Sequence, residues 1–167
     1  MSRIPDEHKR EAPKSVGCAL ITVSDTRTIE TDRGGQTAVE LLAAAGHRLL
    51  RREIIPDDPE PMRRLLEELR DRVDAVLLTG GTGIGSRDQT YETVSSMLDK
   101  PLPGYGELFR MLSFEQVGAA AMLSRTVGGL IGRTVVLTMP GSPGAVRLAL
   151  EKLILPELGH LVREAKR

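Results

Sequence analysis

The amino-acid sequence predicts an α/β fold, a three-layer α/β/α sandwich around a mostly parallel sheet that carries one antiparallel strand. Three observations predict it. Short apolar runs recur at residues 16–23, 75–78 and 134–139, β-branched or Leu-rich and nearly continuous, as in strands covered on both faces. Amphipathic stretches of helical spacing lie between them. Each run stops at small, polar or Gly/Pro residues, so the polar loops gather at the carboxyl edge of the parallel strands, where a ligand pocket belongs.

In chain order, residues 1–14 are polar and mixed in charge and read as a flexible arm, and residues 15–167 form a single domain. The run 16–23 is the first strand. Ala38, Leu41, Leu42 and Ala45 make a helical stripe closed by Gly46, where a left-handed cap sits. Residues 48–55 read as a more exposed strand. Asp58 is an N-cap with Pro59 at the first helical position, and Met62, Leu65, Leu66, Leu69 and Val73 keep i, i+3, i+4, i+7 spacing. The strand 75–78 leads into a Gly-rich loop and a helix over 91–98. Leu108, Phe109, Met111, Leu112, Phe114 and Val117 point around several faces of a further helix, which calls either for burial within the monomer or for cover by another chain. Residues 124–131 and 134–139 form a hairpin across Gly132-Arg133. Val146, Leu150, Leu153 and Ile154 form a last helix ended by Pro156.

Composition narrows the function. Lys and Arg number 23, as do Asp and Glu, so no global field draws the chain to nucleic acid or to an anionic membrane. With no Trp and only Tyr91, Tyr105, Phe109 and Phe114 as aromatic residues, stacking platforms for single-stranded nucleic acid are excluded. The lone Cys18 sits among apolar residues and reads as a small buried side chain in a reducing compartment. No apolar run reaches membrane-spanning length and the N-terminus lacks a signal-peptide core, so a cytoplasmic address is expected. His8, His47 and His160 lack metal-ligand spacing, and no G-x-S-x-G elbow is present.

The chemistry-bearing segment is Leu77-Leu78-Thr79-Gly80-Gly81-Thr82-Gly83-Ile84-Gly85-Ser86-Arg87-Asp88. Glycines let backbone N–H groups converge on a phosphate, and Thr79, Thr82 and Ser86 add hydroxyl donors. The loop is neither a Walker A sequence nor G-x-G-x-x-G. Asp88 either holds Mg²⁺ that bridges phosphates or caps the following helix, a task Thr90 fills equally well. Asp57 stands beside the capping Asp58 with no structural task of its own. Ser24 and Asp25 end the first strand and either face the same cleft or cap their loop. Pro140-Gly141-Ser142-Pro143 either receives an anion at a helix N-terminus or simply starts the helix. Arg87 and Arg125 either offset charge on a leaving pyrophosphate or lie on the solvated surface.

Together these residues resemble the MoaB/Mog family of molybdenum cofactor biosynthesis proteins. The signature of two aliphatics, a small residue, Gly-Gly-Thr-Gly, four variable positions and Asp is matched by Leu77 through Asp88. The likeness spans roughly residues 15 to 157, through Val23-Ser24-Asp25, Ile55-Pro56-Asp57, Pro103-Gly104-Tyr105-Gly106-Glu107, Leu123-Ser124-Arg125 and Met139-Pro140-Gly141-Ser142-Pro143; the segment Phe109-Arg110-Met111-Leu112-Ser113-Phe114-Glu115 is similar to the MoaB branch. The resemblance implies adenylylation of molybdopterin, whose terminal phosphate attacks the α-phosphorus of Mg-ATP and releases pyrophosphate, in a homo-trimer or homo-hexamer. By position it assigns Asp57 and Asp88 to catalysis and Mg²⁺. Ser24, Asp25, Thr79, Gly80, Gly81, Thr82, Gly83, Ser86, Gly104, Glu107, Pro140, Gly141, Ser142 and Pro143 fall to substrate and nucleotide binding. A noncatalytic molybdopterin carrier or assembly protein is the alternative. The residues agree with phosphoryl chemistry on their own terms, because an ionised phosphate nucleophile needs positioning and charge neutralisation rather than a strong base.

Overall fold

The computed structural model describes residues 12–167, and residues 1–11, with most of the expected arm and His8, lie outside the described residues. The elements run β1 (Gly17–Val23), α1 (Arg33–Ala44), β2 (Arg48–Ile55), α2 (Pro59–Leu69), β3 (Ala75–Thr79), α3 (Thr90–Met97), β4 (Lys100–Pro101), α4 (Pro103–Val117), a 3-10 turn (Gly118–Leu123), β5 (Gly128–Ile131), β6 (Thr134–Met139), α5 (Pro143–Ala149), a π turn (Leu150–Ile154) and α6 (Leu155–Ala165). The six strands are ordered β2-β1-β3-β6-β5-β4. β2, β1, β3 and β6 are mutually parallel, and β5 runs against both of its neighbours. The expected sandwich with one reversed strand is therefore what forms.

Successive residues of the central strands feed opposite cores, as the two-residue period of a strand requires. Cys18, Leu20 and Leu77 pack with Leu42 of α1, Phe109 of α4 and Val146, Leu158 and Val162 of the C-terminal helices. Ala19, Ile21 and Leu78 pack with Met62, Leu65, Leu66 and Leu69 of α2 and Val94 of α3. Truncating fully buried Leu77 or Leu78 to Ala costs about 2–5 kcal/mol through lost burial and the cavity left behind.

Local rules explain most boundaries. Asp58 caps α2 by accepting the Glu60 N–H at 3.0 Å, and Gly46 adopts φ +81° after α1. Three boundaries differ from expectation, and one strand is additional. α2 stops at Leu69 rather than reaching Val73, because Asp71 turns left-handed at φ +57° and clamps the β5–β6 hairpin. Its N–H donates to Thr134 Oγ1 at 2.9 Å and its carboxylate accepts from Arg133 N at 2.7 Å. The hairpin strand begins at Gly128 rather than 124, since Arg125 N is diverted to the Thr82 carbonyl. Pro156 does not end the last helix. The π turn widens the coil ahead of it, which leaves the ring in the first turn of α6, where its missing N–H is harmless. The two-residue edge strand β4 was not anticipated, being too short for any periodic signal. Among the described residues no helix is long and apolar enough to cross a membrane.

Candidate functional site at the carboxyl edge of the sheet

The carboxyl ends of β1, β2, β3 and β6 deliver the loops 24–32, 56–58, 80–89 and 140–142 to one rim. Ser24 N bonds to Ile55 O and Gly80 N to Met139 O, each at 2.9 Å, so neighbouring loops start in register. Gly80 sits at φ +91°, where a Cβ would come within 2.3 Å of the Val23 carbonyl, and Gly81 at φ +67°, where it would meet Thr90 Oγ1 at 2.2 Å and Asp57 Oδ2 at 2.8 Å. The glycines are therefore required both for their backbone conformation and for close packing of loop against loop. Gly141 lies against Gly80, which joins the Pro140 loop to the glycine loop.

Asp57 is buried and does have a structural task, contrary to expectation: its Oδ1 accepts the Gln89 N–H at 3.0 Å. Burial raises its carboxyl above the ordinary carboxylate range; the Gln89 bond opposes this, and the nearby Asp88 and Asp25 charges reinforce it. Asp88 caps no helix. Its Oδ2 accepts the Gly85 N–H at 2.8 Å and lies 2.8 Å from where a Cβ on Gly83 would sit, so it closes its own loop. Thr90 is not a cap either, since its hydroxyl donates to the Gly80 carbonyl and α3 has no side-chain cap.

Asp25 joins three segments. It accepts a two-pronged pair from Arg87 Nε and Nη2, each at 3.0 Å, and the Asp57 N–H at 3.0 Å. The Arg87 bonds, followed by that backbone N–H, hold its carboxyl below the ordinary range. Ser24 Oγ accepts from Thr26 N and Arg27 N and shapes the loop. Thr79 is fully buried and donates to Thr22 Oγ1, which in turn donates to Asp32 Oδ2 at 2.6 Å. It therefore belongs to the floor of the site. Thr82 is buried as well, whereas Ser86 is exposed with its carbonyl bonded to the Gln89 amide. Ser142 caps α5 by accepting from Ala145 N at 3.3 Å.

Gly104 and Glu107 lie on α4 rather than on the rim loops. Glu107 lines a cavity of about 300 Å³ with Tyr91, Ser95, Arg110 and Thr126, and no hydrogen bond joins either residue to the glycine loop among the described residues. Burial pushes the Cys18 thiol up to about 12, which excludes a thiolate nucleophile there. Asp32 escaped the sequence reading. It is buried, caps α1 through Gly35 N at 2.9 Å and pairs with Arg52, although an Asp just ahead of a helical stripe is a standard cap signal.

The donor set suits a divalent cation that is itself carried by phosphate. Asp57 and Asp88 each commit one oxygen to a backbone N–H, leaving Asp57 Oδ2 and Asp88 Oδ1 without a hydrogen bond among the described residues. No cluster of three or more His, Cys, Asp or Glu forms a closed metal site among the described residues. Mg²⁺ takes one or two carboxylates and completes its shell with phosphate oxygens and water, so an open pair fits it better than a closed cage would.

Comparison with known proteins places this geometry in a family. Residues 19–160 match the family described as a probable molybdopterin binding domain. The chain is 56% identical over 164 residues to molybdenum cofactor biosynthesis protein B of Bacillus cereus, covering 96% of this chain and 97% of that protein. The corresponding protein of Bacillus subtilis is 50% identical over the same length, covering 96% of each. Among solved structures, a molybdenum cofactor biosynthesis protein B superposes with TM-score 0.89 at 55% identity, covering 94% of this chain and 99% of that one. A tungsten cofactor synthesizing MoaB from Pyrococcus furiosus gives 0.82 at 37%, covering 93% and 100%. The chain thus belongs to the MoaB/Mog family of molybdenum cofactor biosynthesis proteins.

Proposed function

We propose that this protein works in molybdenum cofactor biosynthesis as a molybdopterin adenylyltransferase. The terminal phosphate oxygen of molybdopterin attacks the α-phosphorus of ATP, the bond to the β-phosphate oxygen breaks, and adenylyl-molybdopterin and pyrophosphate leave. The observation that carries this reading is the meeting of Asp57 with the glycine loop: its free Oδ2 lies against Gly81, with Asp88 at the far end of the same loop. Such a site binds polyphosphate through backbone amides while offering carboxylate oxygens to its counter-ion. Bound Mg²⁺ would supply neutralisation of phosphate charge and in-line alignment, held by Asp57 and Asp88. The N–H groups of the glycine loop and of the Pro140 loop orient the two anions, and Ser86 offers a hydroxyl at the open side. No residue has to remove a proton, because the nucleophile is already ionised.

The same reading includes a homo-trimer or homo-hexamer in the cytoplasm. The support for self-association is the face of α4, where Leu108, Met111, Phe114 and Val117 are each about half exposed, continued by Met122 and Leu123.

The deciding assay is pyrophosphate release from purified protein given Mg-ATP and molybdopterin. Wild type turns over, and Asp57→Asn and Asp88→Asn each lose about 100-fold or more. Molybdopterin binding with no nucleotide binding and no pyrophosphate would replace the enzyme with a carrier.

A further inference from the structure

Arg125 lies between the 3-10 turn and β5, 42 residues from the glycine loop that it grips. Its Nε donates to the Gly83 carbonyl at 2.8 Å and its Nη2 donates to the same oxygen and to the Asp88 carbonyl at 3.2 Å. Nη1 pairs with the Glu92 carboxylate, and the guanidinium lies over the Tyr91 ring, 5.3 Å from its centre. Its own N–H bonds to the Thr82 carbonyl at 3.0 Å. Gly83 and Asp88 are the two ends of the segment whose interior is closed by Asp88 Oδ2 on Gly85 N. One planar fork therefore spans that segment. Nε, Nη1 and Nη2 each serve a protein acceptor, so four of the five guanidinium N–H groups are in use, and with the side chain only 26% exposed Arg125 is turned to the loop rather than to a substrate phosphate. That separates it from Arg87, whose side chain is 65% exposed.

We infer that Arg125 is a positioning residue: it holds the Gly83–Asp88 segment at a fixed span and so sets where the Asp88 carboxylate faces the nucleotide phosphates, a role that rests on the adenylylation reading above. Lys carries the charge but not the fork, and cannot bridge two carbonyls while stacking on a ring.

The test uses Arg125→Ala and Arg125→Lys in the full-length protein. Turnover in Arg125→Ala falls about 100-fold while the KM for ATP stays within about threefold, because alignment rather than ground-state binding is lost. Arg125→Lys stays at least about tenfold below wild type. Millimolar ethylguanidinium restores turnover about tenfold in Arg125→Ala and not at all in Asp88→Asn. Amide exchange in Arg125→Ala accelerates by about tenfold at residues 83–89 and stays unchanged in β1 and β3. Turnover of Arg125→Ala within about threefold of wild type would overturn the inference. So would an unrescued loss with exchange raised throughout the chain. If wild type itself releases no pyrophosphate, the adenylylation reading fails, and exchange alone decides: local acceleration supports the hold on the loop, and unchanged protection refutes it.

Discussion

Asp57 Oδ1 accepts the backbone N–H of Gln89 at 3.0 Å, fastening the turn after β2 to the start of α3 across 32 residues of sequence. The bond leaves Oδ2 against Gly81 and keeps a carboxylate in a buried place beside two others. A group chosen for folding alone would not be a charge in that position, and the cost should be measurable.

Asp57 carries a stability penalty with a definite sign. Its carboxyl titrates above the ordinary range in the folded protein, so the folded state binds this proton more tightly than the unfolded chain does. The favourable contribution is full below the unfolded value, about pH 4, and is lost as pH rises through the folded value. Asp57→Asn keeps the acceptor for Gln89 and removes the charge. It should melt higher than wild type at about pH 7 while losing turnover, and the gap should close toward about pH 3. Thermal melts across this range check the convergence.

Two glycines with the same backbone sign should respond differently to alanine. Gly46 has φ +81° and open space around its Cβ position, so Gly46→Ala costs about 1–2 kcal/mol of backbone strain and leaves turnover unchanged. Gly81, at φ +67°, adds collisions with Thr90 and Asp57. Gly81→Ala should cost more than Gly46→Ala in denaturant unfolding and weaken nucleotide binding by at least about tenfold, as read by calorimetry.

The apolar face of α4 predicts self-association. Met111 and Phe114 are 55% and 60% exposed, next to Leu108 and Val117. Wild type should show a multiple of the chain mass by light scattering at about micromolar concentration, and Met111→Lys combined with Phe114→Lys should give the monomer mass with the melting transition retained.

Features encoded within a few residues of one another were legible in the sequence. The Asp58-Pro59 cap, the Gly46 stop, the three apolar strands and the glycine loop at a strand end are all contiguous signals, and each is found where it was expected. Pairings over long separations were not legible. Arg125 could be read as a surface charge because nothing near it in sequence names Gly83 and Asp88 as its acceptors, and Asp57 could be read as idle because Gln89 lies beyond a strand and a helix. Pro156 shows a local rule giving way to its surroundings: packing of Leu158 and Val162 on the sheet outweighs the break, and the π turn absorbs the ring. Resemblance assigns Glu107 to the binding residues, and in the structure it lines a cavity with Arg110, Thr126 and, from the helix after the glycine loop, Tyr91.

A crystal structure of the protein with Mg²⁺, a non-hydrolysable ATP analogue and molybdopterin tests the central claim most directly. The expected result is one Mg²⁺ at about 2.1 Å from carboxylate oxygens of Asp57 and Asp88, with nucleotide phosphates on the amides of Gly81 to Gly83 and the molybdopterin phosphate in line with the α-phosphorus. Nucleotide phosphates bound elsewhere, with Asp57 and Asp88 touching neither metal nor ligand, would contradict it.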